Sequence, residues 1–74
     1  MSWKKHKMGK YRANVKVHEN PTKSGIRNGR VSKLEILTQT GSLVTNYDRG
    51  WDIRPTKEIH RTILKKILKK YPSR

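Results

Sequence analysis

The stretch Lys10-Tyr11-Arg12-Ala13-Asn14-Val15-Lys16-Val17-His18 decides the fold. Tyr11, Ala13, Val15 and Val17 share one parity, while Lys10, Arg12, Asn14, Lys16 and His18 share the other. A period of two sends successive side chains to opposite sides of a pleated backbone, so this segment predicts a half-buried strand with one apolar and one cationic face. Residues 19–30 follow with Asn20-Pro21, Ser24-Gly25 and Asn28-Gly29, dipeptides that punctuate a loop. Asn28 and Gly29 both tolerate positive φ and predict a tight turn. Val31–Thr38 predicts a second strand, with Leu34 and Ile36 inward and Lys33 and Glu35 outward. Residues 39–42, which include Gly41, predict a hairpin turn into a third strand over residues 43–47. In that strand Leu43 and Tyr47 compete with Val44 for the interior.

The segment Asp48-Arg49-Gly50-Trp51-Asp52-Ile53-Arg54-Pro55 predicts a tight turn running into a helix. Pro55 suits a first helical turn, where no N–H is needed, Thr56 is an alternative cap, and Glu58 places negative charge near the positive helix end. Ile59, Ile63, Leu64, Ile67, Leu68 and Tyr71 then form one apolar stripe at helical spacing, opposite Lys57, Arg61, Lys65 and Lys69. Pro72 stops the helix. The expected order is β-β-β-α, an α+β domain whose three-stranded antiparallel sheet packs against one C-terminal helix. Residues 1–8, with Lys4, Lys5, His6 and Lys7, read as a flexible basic arm; residues 9–72 make a single domain. Tyr47 and Trp51 are expected as core fillers, and Trp3 as a contact residue or a lid on the sheet edge.

Charge is the strongest functional signal. In 74 residues, 19 Lys and Arg face 5 Asp and Glu, a net charge of +14. Only 31% of residues are hydrophobic, and a domain of this size buries roughly 60% of its unfolded surface, so the core is thin. Self-repulsion opposes compaction, and solubility asks for a net charge of only about 2 to 8 in magnitude. The surplus points to an acidic partner. Nucleic acid is the first choice, DNA ahead of RNA, with Lys10, Arg12, Asn14, Lys16, Lys23, Arg27, Arg30, Lys33, Arg61 and Lys65 as the candidate contacts. An acidic host protein is the alternative partner. The helix has the composition of an interfacial anchor, but its stripe is needed to cover the sheet, so no membrane partner is expected. The two free sheet edges allow a monomer or a weak homodimer.

Catalysis finds little support. The chain has no cysteine, which excludes thiolate metal sites, disulfides and cysteine nucleophiles. His6, His18 and His60 lack ligand spacing, and no metal or cofactor is expected. Asp48 and Asp52 lie among arginines and lysines, where turn hydrogen bonds or ion pairs use them more readily than acid–base chemistry. The expectation is a binding protein and not an enzyme. Residues 1–11 contain no apolar stretch of the kind that leads a chain to export, so a cytoplasmic location is expected.

Gly25-Ile26-Arg27-Asn28-Gly29-Arg30-Val31-Ser32-Lys33-Leu34, together with Asn46-Tyr47-Asp48-Arg49-Gly50-Trp51-Asp52 and Pro55, resembles a family of small uncharacterised proteins encoded by bacteriophages and prophages of Gram-positive bacteria. The resemblance covers most of residues 9–71, and Tyr-Asp-Arg-Gly-Trp-Asp is its most specific part. It implies a bacterial host cytoplasm and lends no catalytic or binding residue. The expected β-β-β-α order is also similar to that of integrase amino-terminal domains that lay a three-stranded sheet into the major groove.

Overall fold

The structure, a computed structural model, describes residues 2–72. Five strands form one antiparallel meander: β1 (Ser2–Met8), β2 (Tyr11–Val17), β3 (Val31–Thr38), β4 (Leu43–Asp48) and β5 (Trp51–Ile53), in spatial order β1-β2-β3-β4-β5. A 3-10 turn (Ile26–Asn28) interrupts the β2–β3 connection, and the helix α1 (Glu58–Lys70) closes the chain. The α+β class therefore stands, but the three-stranded sheet does not. The two added strands are the sheet's edges.

The strand β1 occupies residues expected to be a flexible arm; Met1 lies outside the described residues. It pairs with β2 along its whole length, from Ser2↔Val17 to Met8↔Tyr11. Gly9, at φ 60°, takes the first of two loop positions, where a type II′ turn requires positive φ and so joins two twisted strands tightly. The second missed strand, β5, follows the two-residue turn Arg49-Gly50, closed by the Asp48 N–H donating to the Gly50 carbonyl at 2.9 Å. Its three residues pair through Asn46↔Ile53 and Tyr47↔Trp51.

Alternation in β2 and β3 does what the sequence pattern predicts. Ala13, Val15, Val17, Leu34 and Ile36 are buried and form one cluster with Tyr47 and with Ile63, Leu64 and Ile67 of α1. In β4 it is Thr45 and Tyr47 that are buried, while Leu43 is exposed. The helix stripe faces the core as expected at Ile63, Leu64, Ile67, Leu68 and Tyr71, and departs from it only in the first turn. Ile59 is 46% exposed, and His60, at 3%, takes the inward position. Residues 60, 63, 64 and 67 follow a helical period, and the His60 ring meets the edge of Tyr11 with centroids 5.5 Å apart. Pro55 and Thr56 precede the helix instead of opening it: the N-cap is Lys57, in extended backbone.

Three polar ties hold the edges to this core. The Tyr71 hydroxyl meets His6 Nε2 at 2.7 Å, fixing the helix end to β1. The Tyr47 hydroxyl donates to the Ser24 carbonyl at 2.8 Å, drawing the 18–30 loop over the sheet. The Arg30 guanidinium donates to the carbonyls of His18, at 2.9 Å, and Pro72, at 3.4 Å. Within this loop positive φ falls on Arg27 and Asn28, both at 55°, and not on Gly29. Gly25 is required for a different reason: a Cβ there would collide with the Gly29 carbonyl.

Candidate nucleic-acid interface

Among the described residues only one face of the sheet is covered. The other is bare, and cross-strand register arranges its side chains in three rows. The first row is Trp3, Lys16, Lys33 and Asp48; the second is Lys5, Asn14, Glu35 and Asn46; the third is Lys7, Arg12 and Leu37. Each residue in a row stands directly opposite its neighbour, at a spacing where side chains interact.

The rows divide the face into two halves. On β1, β2 and their turn this face carries Lys5, Lys7, Lys10, Arg12 and Lys16, with no carboxylate. On β3, β4 and β5, carboxylates accompany the cation Lys33. Its ammonium lies 3.6 Å from Asp48 Oδ1, Glu35 accepts from Asn14 Nδ2 at 3.2 Å, and Asp52 accepts from Asn46 Nδ2 at 3.0 Å. Within the basic half Lys7 faces Arg12, and at its boundary Lys16 faces Lys33, whose charge Asp48 partly offsets from the other side. Like charges directly opposite destabilise a sheet.

Trp3 stands at the end of this basic half and is 54% exposed. It lines two shallow hollows on the bare face, one with Lys5, Asn14 and Glu35 and the other with Lys33, Asn46 and Asp48. A third hollow of about 360 Å³ lies between Lys5, Lys7 and Arg12, with Leu37 at its side. A flat aromatic beside unpaired cations offers both stacking and charge.

The residues expected from sequence to bind fall in three places. Arg12, Asn14, Lys16 and Lys33 share the bare face, with Lys10 in the turn at its end. Arg27, Arg61 and Lys65 lie on the helix side, around one groove. Lys23 is exposed on the loop, and Arg30 is engaged as a structural tie. The structure adds Trp3, Lys5 and Lys7 to the bare face as ordered strand residues, and Arg54 to the groove. For Arg54 no linear signal exists, because its neighbours in space are distant in sequence.

Of the three histidines His60 is buried, and His6 and His18 are half-buried. Burial, then the Lys57 and Arg61 charges, holds His60 below the ordinary histidine range, and burial followed by Lys70 does the same to His6. His18 Nε2 meets the Ser32 hydroxyl at 2.7 Å, but Ser32 is buried, so the hydroxyl is withdrawn from solvent. Among the described residues no group of three or more His, Asp or Glu gathers in metal-binding geometry, and no helix is long and apolar enough to cross a membrane.

No curated protein and no solved structure matches this chain. A family model does match, over residues 2–72, which takes in β1 as well as the helix. The chain therefore belongs to the family described as a domain of unknown function, DUF7678.

Proposed function

We propose that this chain is a nucleic-acid-binding module that sets the β1–β2 half of its bare sheet face against phosphates. The observation that carries the reading is a set of cations on an uncovered surface with no carboxylate among them, in which Lys7 stands opposite Arg12, and Lys16 opposite a Lys33 that Asp48 partly offsets. Such pairs oppose the sheet that holds them, and an anion laid across them removes the opposition. Trp3 supplies a π-face at the edge of the same patch.

DNA fits this surface better than RNA. Five strands laid flat span about 19 Å between outer strand axes, more than the roughly 12 Å of the B-form major groove. The whole sheet therefore stays outside the groove, and the three-stranded docking of the integrase-like domains does not transfer. A two-stranded ribbon does enter a B-form major groove, whereas the A-form major groove is too narrow for side chains to read. The β1–β2 ribbon, with Lys10 at its tip, is the part of this sheet suited to that approach. In the phage or prophage setting that the sequence resemblance implies, the duplex is met in a bacterial cytoplasm.

A labelled-duplex titration across salt concentrations tests the reading. Four phosphate contacts from Lys5, Lys7, Arg12 and Lys16 give a log affinity slope of about −3.6 against log salt. Arg12→Glu with Lys16→Glu removes binding at low salt while the fold persists by circular dichroism. Salt-insensitive binding, or no binding at low salt, overturns the proposal. An acidic host protein is the competing partner: the outer edge of β1 is unpaired, and Lys4, Lys5 and Lys7 along it complement an acidic extended segment. Pull-down from nuclease-treated lysate separates the two readings, since only a protein partner survives nuclease.

A further inference from the structure

On the opposite side of the molecule, four cations from distant parts of the chain surround one groove. Arg27 comes from the 3-10 turn, Arg54 from the segment after β5, and Arg61 and Lys65 from successive turns of α1. The groove has a volume of about 440 Å³, no carboxylate lines it, and Trp51 and Leu64 contribute to its apolar wall. Among the described residues none of these cations makes a salt bridge, and the single side-chain hydrogen bond of the four is Arg61 to the Thr56 carbonyl at 3.3 Å. Two features show that the groove is held in shape. Trp51 packs edge-on against buried Tyr47, with centroids 5.0 Å apart, and the Arg54 guanidinium lies 5.7 Å from the Trp51 ring. Arg27 is kept at φ 55° and ψ 36°, a left-handed conformation that a residue with a side chain adopts at a cost.

We infer that this groove binds a nucleoside monophosphate unit, its base against Trp51 and its phosphate among Arg27, Arg61 and Lys65. Two guanidiniums and an ammonium around one groove without a carboxylate suit a phosphate, whose oxygens accept two donors from each planar fork. The apolar wall with an indole suits a flat base, and the volume lies within the range of small-ligand sites rather than that of an extended protein groove. Free mononucleotides and a phosphorylated strand end present this same chemistry. The inference does not depend on duplex binding by the bare sheet face, because the two sites share no residue.

Trp51 fluorescence in a Trp3→Phe background provides the readout, since Trp51 is then the only tryptophan. Adenosine monophosphate, adenosine, inorganic phosphate, a short oligodeoxythymidylate with or without a 5′-phosphate, and an oligoglutamate peptide are titrated in turn. The monophosphate is expected to saturate the signal below about 1 mM and to bind about tenfold more tightly than adenosine or phosphate alone. Arg61→Glu with Lys65→Glu, two exposed helix positions, is expected to weaken it by about tenfold with the helix intact by circular dichroism. Tighter binding of the 5′-phosphorylated oligonucleotide than of its unphosphorylated form assigns the site to strand ends; equal binding of the two alongside a saturating mononucleotide assigns it to free nucleotides. Saturation by phosphate at the same concentration, an equal response to oligoglutamate, or no saturation by the monophosphate overturns the inference. Arg12→Glu with Lys16→Glu separates this result from the sheet-face reading, because it abolishes duplex binding and leaves the mononucleotide titration unchanged.

Discussion

The two faces of the sheet are built from alternate residues of the same strands, and they obey opposite rules. In β2 and β3 the inward set, Ala13, Val15, Val17, Leu34 and Ile36, is closed under α1. The outward set, Arg12, Asn14, Lys16, Lys33 and Glu35, meets solvent or a partner. The inner face satisfies itself: its apolar atoms touch one another. The outer face does not, because on the β1–β2 half Lys7 stands opposite Arg12 and no carboxylate offsets the cations. Such a surface works against its own scaffold.

The largest test of this contrast is a core truncation set against a surface one. Ile67→Ala removes a fully buried side chain from the centre of the inner cluster, and we expect a loss of about 2–5 kcal/mol in urea denaturation. Lys16→Ala on the other face is expected to change stability by less than about 0.5 kcal/mol. Equal effects would erase the distinction between the faces.

Acidification probes the inner face next. His60 and His6 have their folded-state values lowered, so the unfolded chain binds protons more readily. The stability they allow is fully present above pH about 6.5 and is lost progressively as pH falls below it, towards their lowered folded values. A urea midpoint lower at pH 5.5 than at pH 7.5 is the expected result, and His60→Gln should flatten the difference. A midpoint that rises on acidification would contradict the burial of these rings as the cause.

Tyr71→Phe examines the tie between β1 and the helix end. Loss of its 2.7 Å contact with His6 should cost about 0.5–1.5 kcal/mol and increase amide exchange in β1 before β2. The smallest effect has the opposite sign. Lys7→Glu replaces a like-charge pair with Arg12 by an opposite-charge one, so it should stabilise the fold by about 0.2–1 kcal/mol while weakening duplex binding. A variant that gains stability and loses affinity separates the purpose of the outer face from that of the inner one.

Much of the fold was legible where burial imposed a period. The strict alternation of residues 10–18 and the helical spacing of Ile63, Leu64 and Ile67 led to the right elements and the right inward faces. The two edge strands were not legible because edges bury little. In β1 lysine occupies both parities, at Lys4 and at Lys5 and Lys7, so alternation has almost no apolar member; β5 has three residues and follows a turn signal. Only the first helical turn was illegible, because a buried histidine carries no hydropathy signal and Ile59 beside it does. For the candidate site, strand parity found Arg12, Asn14, Lys16 and Lys33. The basic half became visible only when β1 joined the sheet, and the Arg27–Arg54–Arg61–Lys65 groove is a product of tertiary structure alone.

Amide chemical-shift mapping of the isotope-labelled protein against a short DNA duplex at low salt tests the central claim most directly. Perturbations are predicted at Trp3, Lys5, Lys7, Lys10, Arg12 and Lys16, with the amides of β5 and the exposed side of α1 unmoved. Perturbations centred on α1 with β1 and β2 silent, or no perturbation at all, would contradict it.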